Sequence, residues 1–154
     1  MIIWCELGLS CENILLGFIY RTLENSERRK EKIFGIIREI KKAKKLVDNK
    51  RVGGLVLVGD FNLPGIQWVG GLGTGGKNEI EKIFSEGISD LYLSQCVTKP
   101  TFIYRDGSEG NILDILIVED GDRIMNLELG PPLGSVQQGH VQMSLTYVLK
   151  GPKP

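Results

Sequence analysis

A single histidine, His140, and three cysteines, Cys5, Cys11 and Cys96, are all the imidazole and thiolate ligands this sequence offers. The cysteines match no zinc spacing, His140 lies far from all of them, and their odd number leaves no complete disulfide framework. The expectation is a reducing, intracellular setting without disulfides. Long apolar runs are lacking as well: none approaches the ~20 residues a membrane span needs. Met1-Ile2-Ile3-Trp4 has neither the basic start nor the cleavage site of a signal peptide, so a soluble chain that crosses no membrane follows. Nor is there an excess of charge, since 19 Lys and Arg balance 19 Asp and Glu. No global field steers polyanions, and any nucleic-acid contact has to come from a local patch. What the chain does have is 42% apolar residues in a length of 154, enough for one ordinary core in one domain.

Ile2 to Leu7 and Ile14 to Tyr20 are two apolar runs joined by Gly8-Leu9-Ser10-Cys11-Glu12-Asn13, the pattern of a strand pair with a turn. From Ser26 to about Asn49 the period changes: Ile33, Ile36, Ile37, Ile40, Ala43 and Val47 recur at helical spacing. Lysines and arginines lie between them, and Asn25 or Ser26 is available as the cap. Gly53 and Gly54 then lead into Leu55-Val56-Leu57-Val58, a continuous apolar run of the kind found in strands buried on both faces. A short helix is expected from about Asn78 to Ser85. Further strands are expected at Asp90 to Val97, Phe102 to Arg105, Ile112 to Val118, Arg123 to Leu129 and Val141 to Leu149. Asp106-Gly107-Ser108, Asp120-Gly121-Asp122 and Pro131-Pro132 read as turns between them. The fold class is α/β with mixed sheets.

Gly59-Asp60-Phe61-Asn62 places a carboxylate and an amide two residues apart, just beyond a buried strand. Ligands bind at that edge in open α/β sheets. A carboxylate there orients or deprotonates a water, and the amide fixes it or holds a phosphate oxygen; the same residues also read as a plain Asx turn before Pro64. Gly71-Leu72-Gly73-Thr74-Gly75-Gly76-Lys77-Asn78 nearly spells a P-loop. Asn78 stands where the magnesium-binding hydroxyl is required, and Pro64, Ile66 and Trp68 separate the glycines from the upstream strand, so it reads as a flexible loop. The basic run Lys41, Lys42, Lys44, Lys45, Lys50 and Arg51 reads as a solvated helix face. Asp114 is the odd residue, a carboxylate between Leu113 and Ile115 that needs a partner.

Several segments together resemble one family. Ile19-Tyr20-Arg21, the stretch from Val58 to Trp68, Leu93 to Thr101, Asn111-Ile112-Leu113-Asp114-Ile115-Leu116-Ile117 and Gly130-Pro131-Pro132-Leu133-Gly134-Ser135 look like the endonuclease domain of non-LTR (LINE-type) retrotransposons. Order and spacing agree over nearly the whole chain. These domains belong to the endonuclease/exonuclease/phosphatase superfamily, and the resemblance implies its two-sheet α/β sandwich with helices outside. It also implies hydrolytic nicking of DNA with Mg2+ as a Lewis acid. Asp60 would position or deprotonate the attacking water, and Asn62 would hold Asp60 and the scissile phosphate. Asp114 would orient the imidazole of His140, which contacts a phosphate oxygen, and the Tyr20 hydroxyl would reach the phosphate.

The resemblance also marks two departures. The family's first strands, with a metal-binding glutamate and a nearby asparagine, have no counterpart before Met1, and Gly139 precedes His140 where the family has Ser-Asp-His. The expectation is an N-terminally truncated domain over 1–150 with a tail at 151–154, exposing apolar sheet surface and missing part of its active site. Its expected partners are DNA and, for the uncovered surface, the missing N-terminal half or a reverse transcriptase region. Its expected place is intracellular, and nuclear if it acts on genomic DNA. The alternatives are a non-catalytic DNA- or protein-binding remnant and a P-loop nucleotide binder.

Overall fold

The computed structural model describes residues 1–22, 28–133 and 138–151. The chain runs β1 (Ile2–Gly8), β2 (Asn13–Tyr20), α1 (Arg29–Asp48), β3 (Gly54–Asp60), β4 (Ile66–Val69) and β5 (Leu72–Gly75). It continues through α2 (Glu79–Asp90), β6 (Ser94–Gln95), β7 (Phe102–Ile103), β8 (Asp114–Val118), β9 (Ile124–Pro132) and β10 (Gly139–Tyr147).

Five strands form a mixed sheet in the order β1-β2-β3-β8-β6. Only β2 and β3 pair in parallel, and a parallel pair needs a long crossover, which α1 provides. The apolar stripe read from the sequence is the face α1 buries, through Ile33, Ile36, Ile40 and Ala43. The predicted caps Asn25 and Ser26 lie outside the described residues. β3 is buried on both sides, as its unbroken apolar run requires. Leu55 and Leu57 join Ile115 and Ile117 beneath the helices, while Val56 joins Leu116 and Val118 on the other face. Each such side chain contributes roughly 1.5–3 kcal/mol relative to exposure.

A second sheet, β7-β10-β9, covers that other face. Leu127, Leu129, Met143 and Leu145 point inward from β9 and β10, whereas Gln142, Ser144 and Thr146 alternate with them toward solvent. The result is a two-sheet sandwich with both helices on one outer side. The second sheet leaves β1 and the end of β2 uncovered: Ile3 is 63% and Phe18 46% exposed, and Leu7 is exposed too. The expected uncovered apolar sheet surface is thus present at β1 and β2, on the same face as Val56 and Val58.

Three local expectations change. The glycine-rich stretch is not a loose loop but part of a hairpin, β4 paired with β5. Helix α2 runs on to Asp90 rather than stopping at Ser85, because Phe84 and Ile88, four residues apart, are both buried; the expected strand from Asp90 shrinks to Ser94–Gln95. Pro131 and Pro132 end a strand instead of making a turn, which β9 tolerates because it is the edge of its sheet. No helix among the described residues is long and apolar enough to cross a membrane.

Candidate active site

At the end of β3 the backbone makes an approach only glycine allows. Gly59 has φ +146, and a Cβ there would sit 1.9 Å from the Ile19 carbonyl oxygen, so any side chain would push β3 away from β2. That close fit delivers the next residue, Asp60, into register with two others. Tyr20 is its parallel partner on β2 and Asp114 its antiparallel partner on β8. Tyr20, Asp60 and Asp114 therefore form one row across three adjacent strands.

His140 completes the group from the second sheet. Its Nδ1 lies 2.7 Å from Asp114 Oδ2, and its Nε2 lies 3.6 Å from Asp60 Oδ2. A carboxylate only accepts, so the short contact puts a proton on Nδ1. The imidazole is 43% exposed while the Asp60 side chain is 12% and Asp114 19% exposed, so the carboxylates form the floor and the ring the open wall. Phe102 packs edge-on against the ring, with centroids 5.3 Å apart. His140 lies just before the strand expected at Val141 to Leu149; it stands within β10 instead, as the direct register partner of Phe102.

Asn62 follows in a left-handed conformation, φ +50, and its N–H donates to Asp60 Oδ1 at 2.9 Å. The Asx turn and the site are thus the same structure rather than rival readings. The Asp60 carboxyl is held above its ordinary value, first by burial and then by the like charge of Asp114. His140, the Asn62 N–H and Arg21 oppose that rise without cancelling it.

Two supporting residues escaped the sequence reading. Arg21 donates from Nε to Phe61 O at 2.9 Å and from Nη2 to Asn62 O at 3.4 Å, pinning the Asp60 turn from β2. Buried Glu81 accepts the N–H groups of Gly65 and Lys77, both at 2.7 Å, and so ties the loop after Asn62 to the start of α2. A signal for Glu81 was available, because it stands three residues after the Asn78 cap, the spacing of a capping box. Asn78 Oδ1 accepts the Glu81 N–H at 2.9 Å. These bonds occupy donors at the α2 N-terminus that a P-loop would offer to phosphate, and the near-motif is a helix-capped hairpin.

Asp60, Asp114 and His140 each offer one ligand atom, all within 4.8 Å of one another. Two carboxylates and an imidazole suit a hard or borderline divalent cation, and burial together with the facing Asp114 charge disfavours the ionised Asp60 carboxylate that a cation would stabilise. A hollow of about 230 Å3 is lined by Tyr20 and Arg21 together with α1, and one of about 580 Å3 by Phe102, Tyr104 and Gly139; Asp60, Asp114 and His140 line neither. Gly139, where the resemblance puts an aspartate, has φ +116 and open space around a would-be Cβ. Backbone conformation, not crowding, sets it apart.

The fold is shared with a solved endonuclease domain. The solved endonuclease domain of TRAS1, a telomere-specific non-LTR retrotransposon, matches it with a TM-score of 0.64 at 15% identity, over 97% of this chain and 64% of that one. The chain thus spans 64% of the length of the solved domain. No family model and no curated protein matches the sequence.

Proposed function

We propose that this chain is an endonuclease-like domain of retrotransposon origin whose reaction is metal-dependent hydrolysis of DNA phosphodiester bonds. The observation that carries the reading is the meeting of Asp60, Asp114 and His140 from two sheets, in a fold shared with a retrotransposon endonuclease domain. Asp60 takes the proton of the attacking water, a task its raised pKa favours. The water oxygen bonds to phosphorus, one bridging P–O bond breaks, and its electron pair stays on the leaving sugar oxygen. His140, donating from Nδ1 to Asp114 and from Nε2 to a non-bridging phosphate oxygen, holds that oxygen, while Asn62 and Tyr20 bind the phosphate. Asp60 with Asp114 would hold the metal, Mg2+ by resemblance, which would supply Lewis-acid stabilisation of the charge developing on phosphate. The partner is DNA, and the working compartment is the nucleus when the target is genomic.

Gly139 favours a second reading, a non-catalytic DNA-binding remnant, since the residue before His140 carries no carboxylate. Supercoiled plasmid incubated with the full chain and Mg2+ separates the two. Nicking that disappears in Asp60→Ala supports hydrolysis at this site. Salt-dependent retention of DNA without nicking supports the remnant, and nicking unchanged in Asp60→Ala defeats the site assignment.

A further inference from the structure

Asp114 and His140 belong to different sheets, and their strands, β8 and β10, are neighbours in neither. Their 2.7 Å contact therefore depends on what fixes the distance between the sheets at this point. Fully buried Thr101, just before β7, bonds to both strands. Its Oγ1 accepts the N–H of Leu113 and the N–H of Asp114, each at 2.9 Å. Its carbonyl accepts the N–H of Val141, the residue after His140, at 2.9 Å, and its own N–H donates to Asn111 O at 3.1 Å.

A hydroxyl oxygen has two acceptor lone pairs, and here two backbone amides use them. The contact is made at the first residue of β8, which pairs with Asp60 of β3 on one side, while on the other side the ladder with β6 reaches only Ile117 and Val118. The bond at Val141 alone would tie Thr101 to β10 without tying it to β8, which is held in its own sheet by β3 and β6. The hydroxyl closes that gap: it ties the Asp114 amide to the same residue that holds the His140 strand. Valine would fill the same volume and accept nothing; serine would keep the oxygen.

We infer that Thr101 is a positioning residue, which through its hydroxyl and carbonyl sets the Asp114–His140 pair and so keeps the imidazole proton on Nδ1 with Nε2 turned toward Asp60. The inference concerns the state of the imidazole and does not depend on nuclease activity.

Because His140 is the only histidine of the chain, two-bond 1H–15N correlations of its ring report the tautomer without ambiguity, at a pH where the ring is neutral. The native protein and Thr101→Ser show the Nδ1–H pattern. In Thr101→Val the ratio moves toward Nε2–H by about tenfold or more, the scale of one charge-assisted hydrogen bond. A Thr101→Val protein that is folded but keeps the native pattern, however much less stable, overturns the inference, as does loss of the pattern in Thr101→Ser. Should Thr101→Val not fold, hydrogen exchange in the native protein decides. The Leu113 and Asp114 amides must be protected like those of Leu116 and Ile117; exchange as fast as at the exposed Asp106–Gly107 turn overturns it.

Discussion

Asp60 and Asp114 are direct partners in the antiparallel register of β3 and β8, so two carboxylates face the same narrow space between the sheets. Like charges opposite each other in a sheet are unfavourable, and the half-buried setting amplifies the repulsion by weakening solvation. A purely structural position would favour an amide or a threonine. The arrangement makes sense as a site that meets positive charge only when it works, from a metal ion or from a protonated His140.

The cost is measurable through pH. Burial and Asp114 raise the Asp60 pKa in the folded protein, so the folded state holds that proton more tightly than the unfolded chain does. The stability this group contributes is full below the ordinary aspartate value and is lost as pH rises through the raised folded value. Asp60→Asn, which can still accept the Asn62 N–H, should raise the melting temperature at neutral pH. A gain of ~1 kcal/mol corresponds to roughly 2–4 °C in a domain of this size. The gain should shrink toward zero as pH falls to about 4. Thermal unfolding followed by circular dichroism across that range tests it; a variant less stable than the parent at neutral pH would contradict the sign.

His140 and Asp114 should behave as one unit in nicking. If Asp114 acts only by orienting the ring, removing either member costs rate by about 10²-fold or more. Removing both then costs little beyond the worse single change. Nicking rates of His140→Ala, Asp114→Ala and the double variant measure this. Multiplicative losses would mean that the 2.7 Å contact is incidental and that Asp114 has a task of its own.

How much of this was legible from the chain differs residue by residue. The helical stripe from Ile33 to Ala43 and the doubly buried run at Leu55 to Val58 were plain, because burial writes itself into local periodicity. Asp114 was conspicuous for the same reason, as a charge that broke an apolar run. What local pattern does not carry is contact across sheets. The alternation of Val141, Met143 and Leu145 with Gln142, Ser144 and Thr146 announces a strand beginning one residue after His140, but nothing in that pattern says that His140 meets Asp114 of the other sheet. Thr101 and Arg21 act by bonding to backbone groups far along the chain, and a backbone acceptor leaves no residue-type signature at the other end. The resemblance implied roles for Asp60, Asn62, Asp114, His140 and Tyr20, but the bonds by which Arg21 and Thr101 support them exist only in the folded chain.

The opposite end of β3 carries a second charged group, and its energetics run the other way. Arg123, buried, pairs with Glu12 and with Glu119 Oε1 at 2.9 Å, and it stacks 4.4 Å from the centroid of the Tyr147 ring. It also donates to the carbonyls of Gly53 and Val148, both at 2.9 Å. Glu119 accepts the Leu55 N–H at 2.8 Å and the Tyr147 hydroxyl at 2.9 Å, linking the two sheets. Breaking a buried ion pair from one side strands the other charge and costs ~3–5 kcal/mol, whereas replacing every partner together can be near neutral. Against a typical domain stability of ~5–15 kcal/mol, Arg123→Met should therefore lower the urea midpoint steeply. Adding Glu12→Gln and Glu119→Gln to Arg123→Met should recover much of the loss, because no uncompensated charge then remains buried. Urea unfolding of the three proteins checks both steps. If the triple variant were as unstable as Arg123→Met, the guanidinium would matter for its packing on Tyr147 and its bonds to Gly53 and Val148, not for the charges it neutralises.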